Sequence, residues 1–255
     1  MKKIASPKEL FSRAWTALKA TWQIVLPLVA GIQVASYVLS QLVSFIPGAL
    51  GTVLSFVATA VIMVPTVGVL NGTLGYVRKK PLTYDCIRSM LPHAWKVICL
   101  YLWTMLCLFA WMLPGMGGMI VGLMMLAIGQ KLLVLGILGG LTMIAGVVAM
   151  LVLACRAAFS YAMNNGILID DPTTPVRDIL KKSKTMMQGY RWHYFKVGLP
   201  VFGGILVIVL VIGLLTAVLP LWLNSMISTA MGVVTATMSQ YLLPVMYEEL
   251  RRIGR

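Results

Sequence analysis

Six long apolar runs, none of them holding an acidic residue, constrain this chain more than any other feature. They are Ile24–Phe45, Val53–Tyr76, Val97–Leu126, Leu132–Ala154, Val197–Leu219 and Met226–Tyr247. About 20 consecutive apolar residues suffice to cross the hydrocarbon of a bilayer as a helix. The backbone of a spanning segment must satisfy its own hydrogen bonds there, which favours helices throughout. With 60% hydrophobic and 11% charged residues, too few polar side chains remain to cover a water-soluble globule of 255 residues. The same numbers exclude a disordered chain. The reading is an all-α integral membrane protein with six transmembrane helices.

The charges supply an orientation. Segments 1–23, 77–96, 155–196 and 248–255 hold 20 of the 21 basic residues and all seven acidic ones, and Lys131 stands alone on the other side. Lys and Arg gather on the cytosolic side of membrane proteins, so both termini are expected there. A seventh crossing at Met119–Gln130 would move the basic stretch 156–196 outside, against that rule. Pro114-Gly115 with Gly117-Gly118 is expected to interrupt the third run, as a bend or a re-entrant break.

Three cytosolic segments share a pattern. The first opens at Ser6-Pro7-Lys8-Glu9, a capping-box spacing with proline at the first helical position, and repeats apolar residues at Leu10, Phe11, Ala14, Leu18 and Trp22. The second runs from Thr83 through Ile87, Met90, Leu91 and Ala94, and the third from Thr174-Pro175 through Ile179, Leu180, Met186 and Met187. Each reaches a tryptophan at the entry to the next span: Trp22, Trp95 and Trp192. Indole rings favour the headgroup level. The chain therefore divides into three units of amphipathic helix plus transmembrane hairpin, about 6–77, 83–170 and 174–255, within one transmembrane domain.

The residues carry little catalytic chemistry. Cys86, Cys99, Cys107 and Cys155 have no metal-type spacing. His93 and His193 stand beside Trp95 and Trp192, where anchoring explains them. Asp170-Asp171-Pro172 reads as a turn before the third amphipathic helix, its acids suited to the helix N-terminus. Glu248 and Glu249 read as surface partners of Arg251 and Arg252. The expectation is a protein that is not an enzyme and has no cofactor or metal. Its basic face, Arg177, Lys181, Lys182 and Lys184 with the three tryptophans, is expected to touch anionic lipid or a partner protein. The protein partner would be a second copy of the chain or another membrane protein. Nucleic acid is not expected, because the positive charge faces the membrane. The alternative is a transporter or exporter subunit for a small solute or lipid-like molecule. Its path would be lined by Gln33, Gln41, Asn71 and Asn224, which serve equally as hydrogen-bonding glue between helices. Gly68/Gly72, Gly118/Gly122 and Gly136/Gly140 have the spacing of close helix contacts.

Asp170-Asp171-Pro172, the run Ser183-Lys184-Thr185-Met186-Met187-Gln188-Gly189, Phe195, Pro114-Gly115 and Pro244 before Tyr247-Glu248-Glu249-Leu250 together resemble a bacterial membrane family catalogued as domain of unknown function 975. They are also similar to the membrane domain attached to some glycerophosphodiester phosphodiesterases. Val245 departs from the pattern, where an aromatic often follows the proline. The resemblance implies a multi-pass protein of the bacterial cell membrane and brings no catalytic residue with it.

Overall fold

The computed structural model describes residues 4–129, 133–200, 203 and 221–253, with the side chains of 221–226 and 228 excepted. Among these residues every regular element is helical. Helix α1 spans Pro7–Ser44, α2 Gly48–Val77, α3 Ala94–Ile128 and α4 Leu133–Tyr161. The shorter α5 spans Asn164–Asp170 and α6 Val176–Met186. Residues 191–200 form α7, and α8 spans Leu221–Ile253. Four helical stretches are long and apolar enough to cross a membrane: Pro7–Ser44, Gly48–Val77, Tyr84–Ile128 and Leu133–Asp170. The expected fifth span, Val197–Leu219, lies mostly outside the described residues, as does Lys131. The expected sixth falls within α8.

The three expected amphipathic segments take three different forms. In the first unit there is no separate helix: α1 runs unbroken for 38 residues. At 1.5 Å per residue that is about 57 Å, well beyond a ~30 Å hydrocarbon core. No turn-forming residue separates Leu18 from Ile24, so the backbone keeps its helical bonds through Trp22. Ser6 caps the N-terminus, its Oγ accepting from the Glu9 amide at 3.3 Å. The Glu9 carboxylate turns instead to Arg13 at 2.5 Å, which leaves the capping box half made. In the second unit the expected helix from Thr83 is two 3-10 turns, Tyr84–Cys86 and Arg88–His93. Pro92 lacks the amide that a longer α-helix would use. The third unit has the free-standing helix, α6, which buries Ile179, Leu180 and Ser183. Gly189 follows it at φ +83°, the left-handed conformation that lets the chain turn into α7.

Pro114 does not break α3, which continues from Ala94 to Ile128. The reason lies across the hairpin. Gly115, Gly118 and Gly122 meet α4 at Met150, Gly146 and Met143, where added Cβ atoms would stand 2.5 Å from the Met150 and Met143 backbone and 3.2 Å from Gly146. Gly136 approaches Gly129 in the same seam, whereas Gly140 faces open space. Gly68 and Gly72 receive the 3-10 turn at Ile87 and Cys86 rather than another long helix.

Burial is concentrated at one end of the bundle. Leu10, Ala14 and Val25 of α1 pack with Val67, Val69 and Leu74 of α2, Ile167 and Leu168 of α5, Ile179 of α6, and Tyr241, Met246 and Leu250 of α8. Toward the other end the side chains are apolar and exposed, as at Phe45, Leu50, Phe56, Met124, Leu133 and Leu151. In water such a surface would aggregate; in hydrocarbon it is the solvated face.

Candidate functional site

The buried end carries an ionic cluster joining the end of α2 to α5 and α8. Arg78 stands one residue beyond α2. Its Nη1 donates to Asp170 Oδ1 at 2.7 Å and its Nε to Glu248 Oε1 at 2.5 Å. Arg251 Nη1 approaches Asp170 Oδ2 at 3.2 Å and Glu248 Oε1 at 3.5 Å. Tyr247 donates its hydroxyl to Asp170 Oδ2 at 2.7 Å. The four charged side chains are between 17% and 32% exposed, so water screens them only in part. Burial opposes the Arg78 charge, but hydrogen bonds and attraction from Asp170 and Glu248 win and hold its pKa above the ordinary value.

This arrangement corrects two sequence readings. Asp170 is an ion-pair partner of Arg78 and Arg251 rather than a turn residue. Glu248 pairs with Arg78 as well as Arg251, in a half-buried setting rather than on an exposed end. Glu249 stands outside the Arg78 cluster: its Oε1 accepts from the Ala5 amide at 3.2 Å and its Oε2 lies 3.5 Å from Arg13. Asp171 makes the expected turn: its carboxylate accepts from the Thr173 amide at 3.1 Å and from the Thr173 and Thr174 hydroxyls at 2.5 Å. Those hydroxyls hold its pKa down to about 2.

The basic residues singled out in α6 stand on its outer face. Arg177, Lys181, Lys182 and Lys184 are exposed. Lys181 reaches only Asp178, at 3.9 Å, and Lys182 donates to Thr174 Oγ1 at 3.4 Å. The Arg177 guanidinium lies 5.0 Å from the Trp103 ring centre. Trp22, Trp95 and Trp192 are all more than half exposed. His193 bonds the Ala5 carbonyl at 3.0 Å, so it fastens the N-terminal segment to α7. Lys96 donates to the Pro172 carbonyl and ties the second unit to the α5–α6 turn.

The uncharged polar groups make these contacts among the described residues. Gln33 is half-buried and Gln41 exposed along α1. Asn71 donates to Ser89 at 3.0 Å and lines a cavity of about 320 Å³ with Arg78, Lys80 and Asp85. The Asn224 side chain lies outside the described residues. Ser40 and Ser44 return their hydroxyls to their own helix, at the Tyr37 and Gln41 carbonyls. Other polar side chains join helices: Asn164 donates to Thr104 at 3.0 Å, and Thr21 bonds the Tyr241 hydroxyl. The cysteines are free thiols, and among the described residues no three His, Cys, Asp or Glu side chains assemble as metal ligands.

Residues 1–246 match the family described as "Protein of unknown function (DUF975)", and the chain belongs to it. No curated protein and no solved structure matches the chain.

Proposed function

We propose that this member of the DUF975 family is a non-catalytic, six-span protein of the bacterial cell membrane that engages anionic lipid through a basic cytosolic face. The observation that carries the reading is α6: it buries Ile179, Leu180 and Ser183 inward and turns Arg177, Lys181, Lys182 and Lys184 outward. Exposed cations on one helix face suit a headgroup layer, where each Lys or Arg contributes about 1 kcal/mol of attraction to an anionic leaflet. Both termini are assigned to the cytosol on the charge distribution, and the role is an organising or accessory one within the membrane. The motifs shared with the membrane domain of some glycerophosphodiester phosphodiesterases support kinship with that membrane module. They bring no catalytic residue with them.

The experiment compares the full chain with a Lys181→Gln, Lys182→Gln, Lys184→Gln variant, both purified in mild detergent. Retained phosphatidylglycerol is measured by native mass spectrometry across added lipid concentrations. The variant is expected to bind it more weakly by on the order of tenfold or more. Equal binding by the two proteins, with both folded by circular dichroism, contradicts the proposal.

A further inference from the structure

A second feature lies apart from α6. The ends of α1, α2 and α8 enclose an open cavity of about 560 Å³. That is within the range of small-ligand sites. Its polar lining is Ser12, Arg13 and Thr16 from α1, Tyr76 from α2, and Glu248, Glu249 and Arg252 from α8.

The charges are layered. Glu248 and Glu249 have side chains only 18% and 14% exposed, whereas Arg13 is 47% exposed and Arg252 is also exposed. The carboxylates are thus the deep groups and the guanidiniums the outer ones. Glu248 uses Oε1 for both Arg78 and Arg251. Glu249 uses Oε1 for the Ala5 amide, and Arg13 sits 3.5 Å from Oε2, beyond a good hydrogen bond. Each carboxylate therefore keeps acceptor capacity on its second oxygen. Among the described residues Arg252 makes no ion pair.

A simple anion here would face two deep carboxylates, and a simple cation two guanidiniums. A group carrying both charges answers both. The inner charge must be a compact N–H donor, because the carboxylates call for hydrogen bonds. A quaternary ammonium has none to give and favours an aromatic cage, for which Tyr76 alone is too little. The outer charge must suit guanidinium, as phosphate does. Ala17, Ala20, Val77 and Val245 continue the wall with apolar surface. We infer that this cavity binds a phosphate ester bearing a primary ammonium, the headgroup chemistry of an ethanolamine phospholipid. The ammonium lies between Glu248 and Glu249, and the phosphate lies at Arg13 and Arg252.

The test titrates the full chain in detergent with short-chain phosphatidylethanolamine, phosphatidylcholine and phosphatidylglycerol, and with free phosphoethanolamine. The ethanolamine lipid is expected to bind about tenfold or more tightly than the choline and glycerol lipids, since each of these leaves a deep acceptor unmatched. Glu249→Gln and Arg252→Gln are each expected to weaken it by a similar factor. Thr16→Leu, which fills the cavity and keeps every charge, is expected to do the same. Lys181→Gln leaves it unchanged, which separates this site from the α6 face. Tighter binding of the lipid than of free phosphoethanolamine assigns the site to lipid, and equal binding assigns it to the soluble ester. Equal affinity for the three lipids, or wild-type binding by folded Glu249→Gln and Thr16→Leu variants, overturns the inference.

Discussion

Arg78 is the residue on which α2, α5 and α8 meet. It has carboxylate partners 92 and 170 positions away in the chain, Asp170 and Glu248. Removing it leaves two half-buried carboxylates facing each other with only Arg251 between them. Breaking a fully buried pair costs several kcal/mol, and partial exposure here reduces that to about 1–3 kcal/mol. Arg78→Gln is therefore expected to lower the thermal midpoint in detergent, and Arg78→Glu with Glu248→Arg to recover part of the loss. An unchanged midpoint in Arg78→Gln would show that the cluster contributes nothing. Asp171 gives a second residue-scale prediction. Its folded pKa of about 2 lies below the ordinary 3.8. The stability it adds is therefore fully present above that ordinary value and is lost as the pH falls through 2. An NMR titration of Asp171 with a midpoint near 4 would contradict the turn geometry.

The residues of this cluster were visible in the sequence, but their partnership was not. The threefold pattern drew attention to the starts of the units, where Ser6, Thr83 and Thr174 precede apolar repeats. The cluster forms outside those starts, with Arg78 just after α2, Asp170 at the last residue of α5 and Glu248 late in α8. Helical periodicity reports which face of one element is apolar, and it carries no information about which distant ends converge. Glu248 therefore read as the partner of its neighbour Arg251, which is only part of its environment. The outward stand of Lys181, Lys182 and Lys184 was readable, because a short amphipathic helix has only one way to bury Ile179 and Leu180.

At the scale of elements, the α3–α4 hairpin shows why local rules can mislead inside a bilayer. Pro114 and four nearby glycines mark a break in a soluble helix. In this hairpin the glycines are the contact surface, and backbone-to-backbone approach stands in for the hydrophobic drive that lipid removes. A Cβ at Gly146 would stand 2.5 Å from the Met119 nitrogen, and one at Gly122 equally near the Met143 nitrogen. Gly122→Leu and Gly146→Leu are expected to force the helices apart at a cost of about 1–3 kcal/mol. A Cβ at Gly117 or Gly140 meets nothing within 4 Å, and Gly117→Leu and Gly140→Leu are expected to be tolerated. Proteolysis rates in detergent check the contrast, and equal sensitivity in all four variants would remove the seam from the account. The continuity of α1 has a similar lesson. A tryptophan at the interface marks a depth in the membrane, not a turn in the chain, so Trp22 interrupts nothing.

Over the whole molecule, packing and charge divide the same way. The buried core and the ionic cluster occupy one end, and the apolar side chains left exposed lie toward the other. A protein whose tight end gathers Arg78, Lys96, Arg177, Lys181 and Arg251 is expected to hold that end in the cytosolic headgroup layer, with its apolar flank in lipid. This orientation underlies both the anionic-lipid reading of α6 and the position of the cavity between α1, α2 and α8. Cysteine labelling in intact cells tests it most directly, in a background with Cys86, Cys99, Cys107 and Cys155 replaced by serine. A membrane-impermeant maleimide is expected to label Ile46→Cys, at the exposed turn between α1 and α2, and Lys131→Cys without permeabilisation. It is expected to label Lys8→Cys, Lys80→Cys and Lys181→Cys only after the membrane is opened. Labelling of any of these three in intact cells, or protection of Ile46→Cys, would contradict the account.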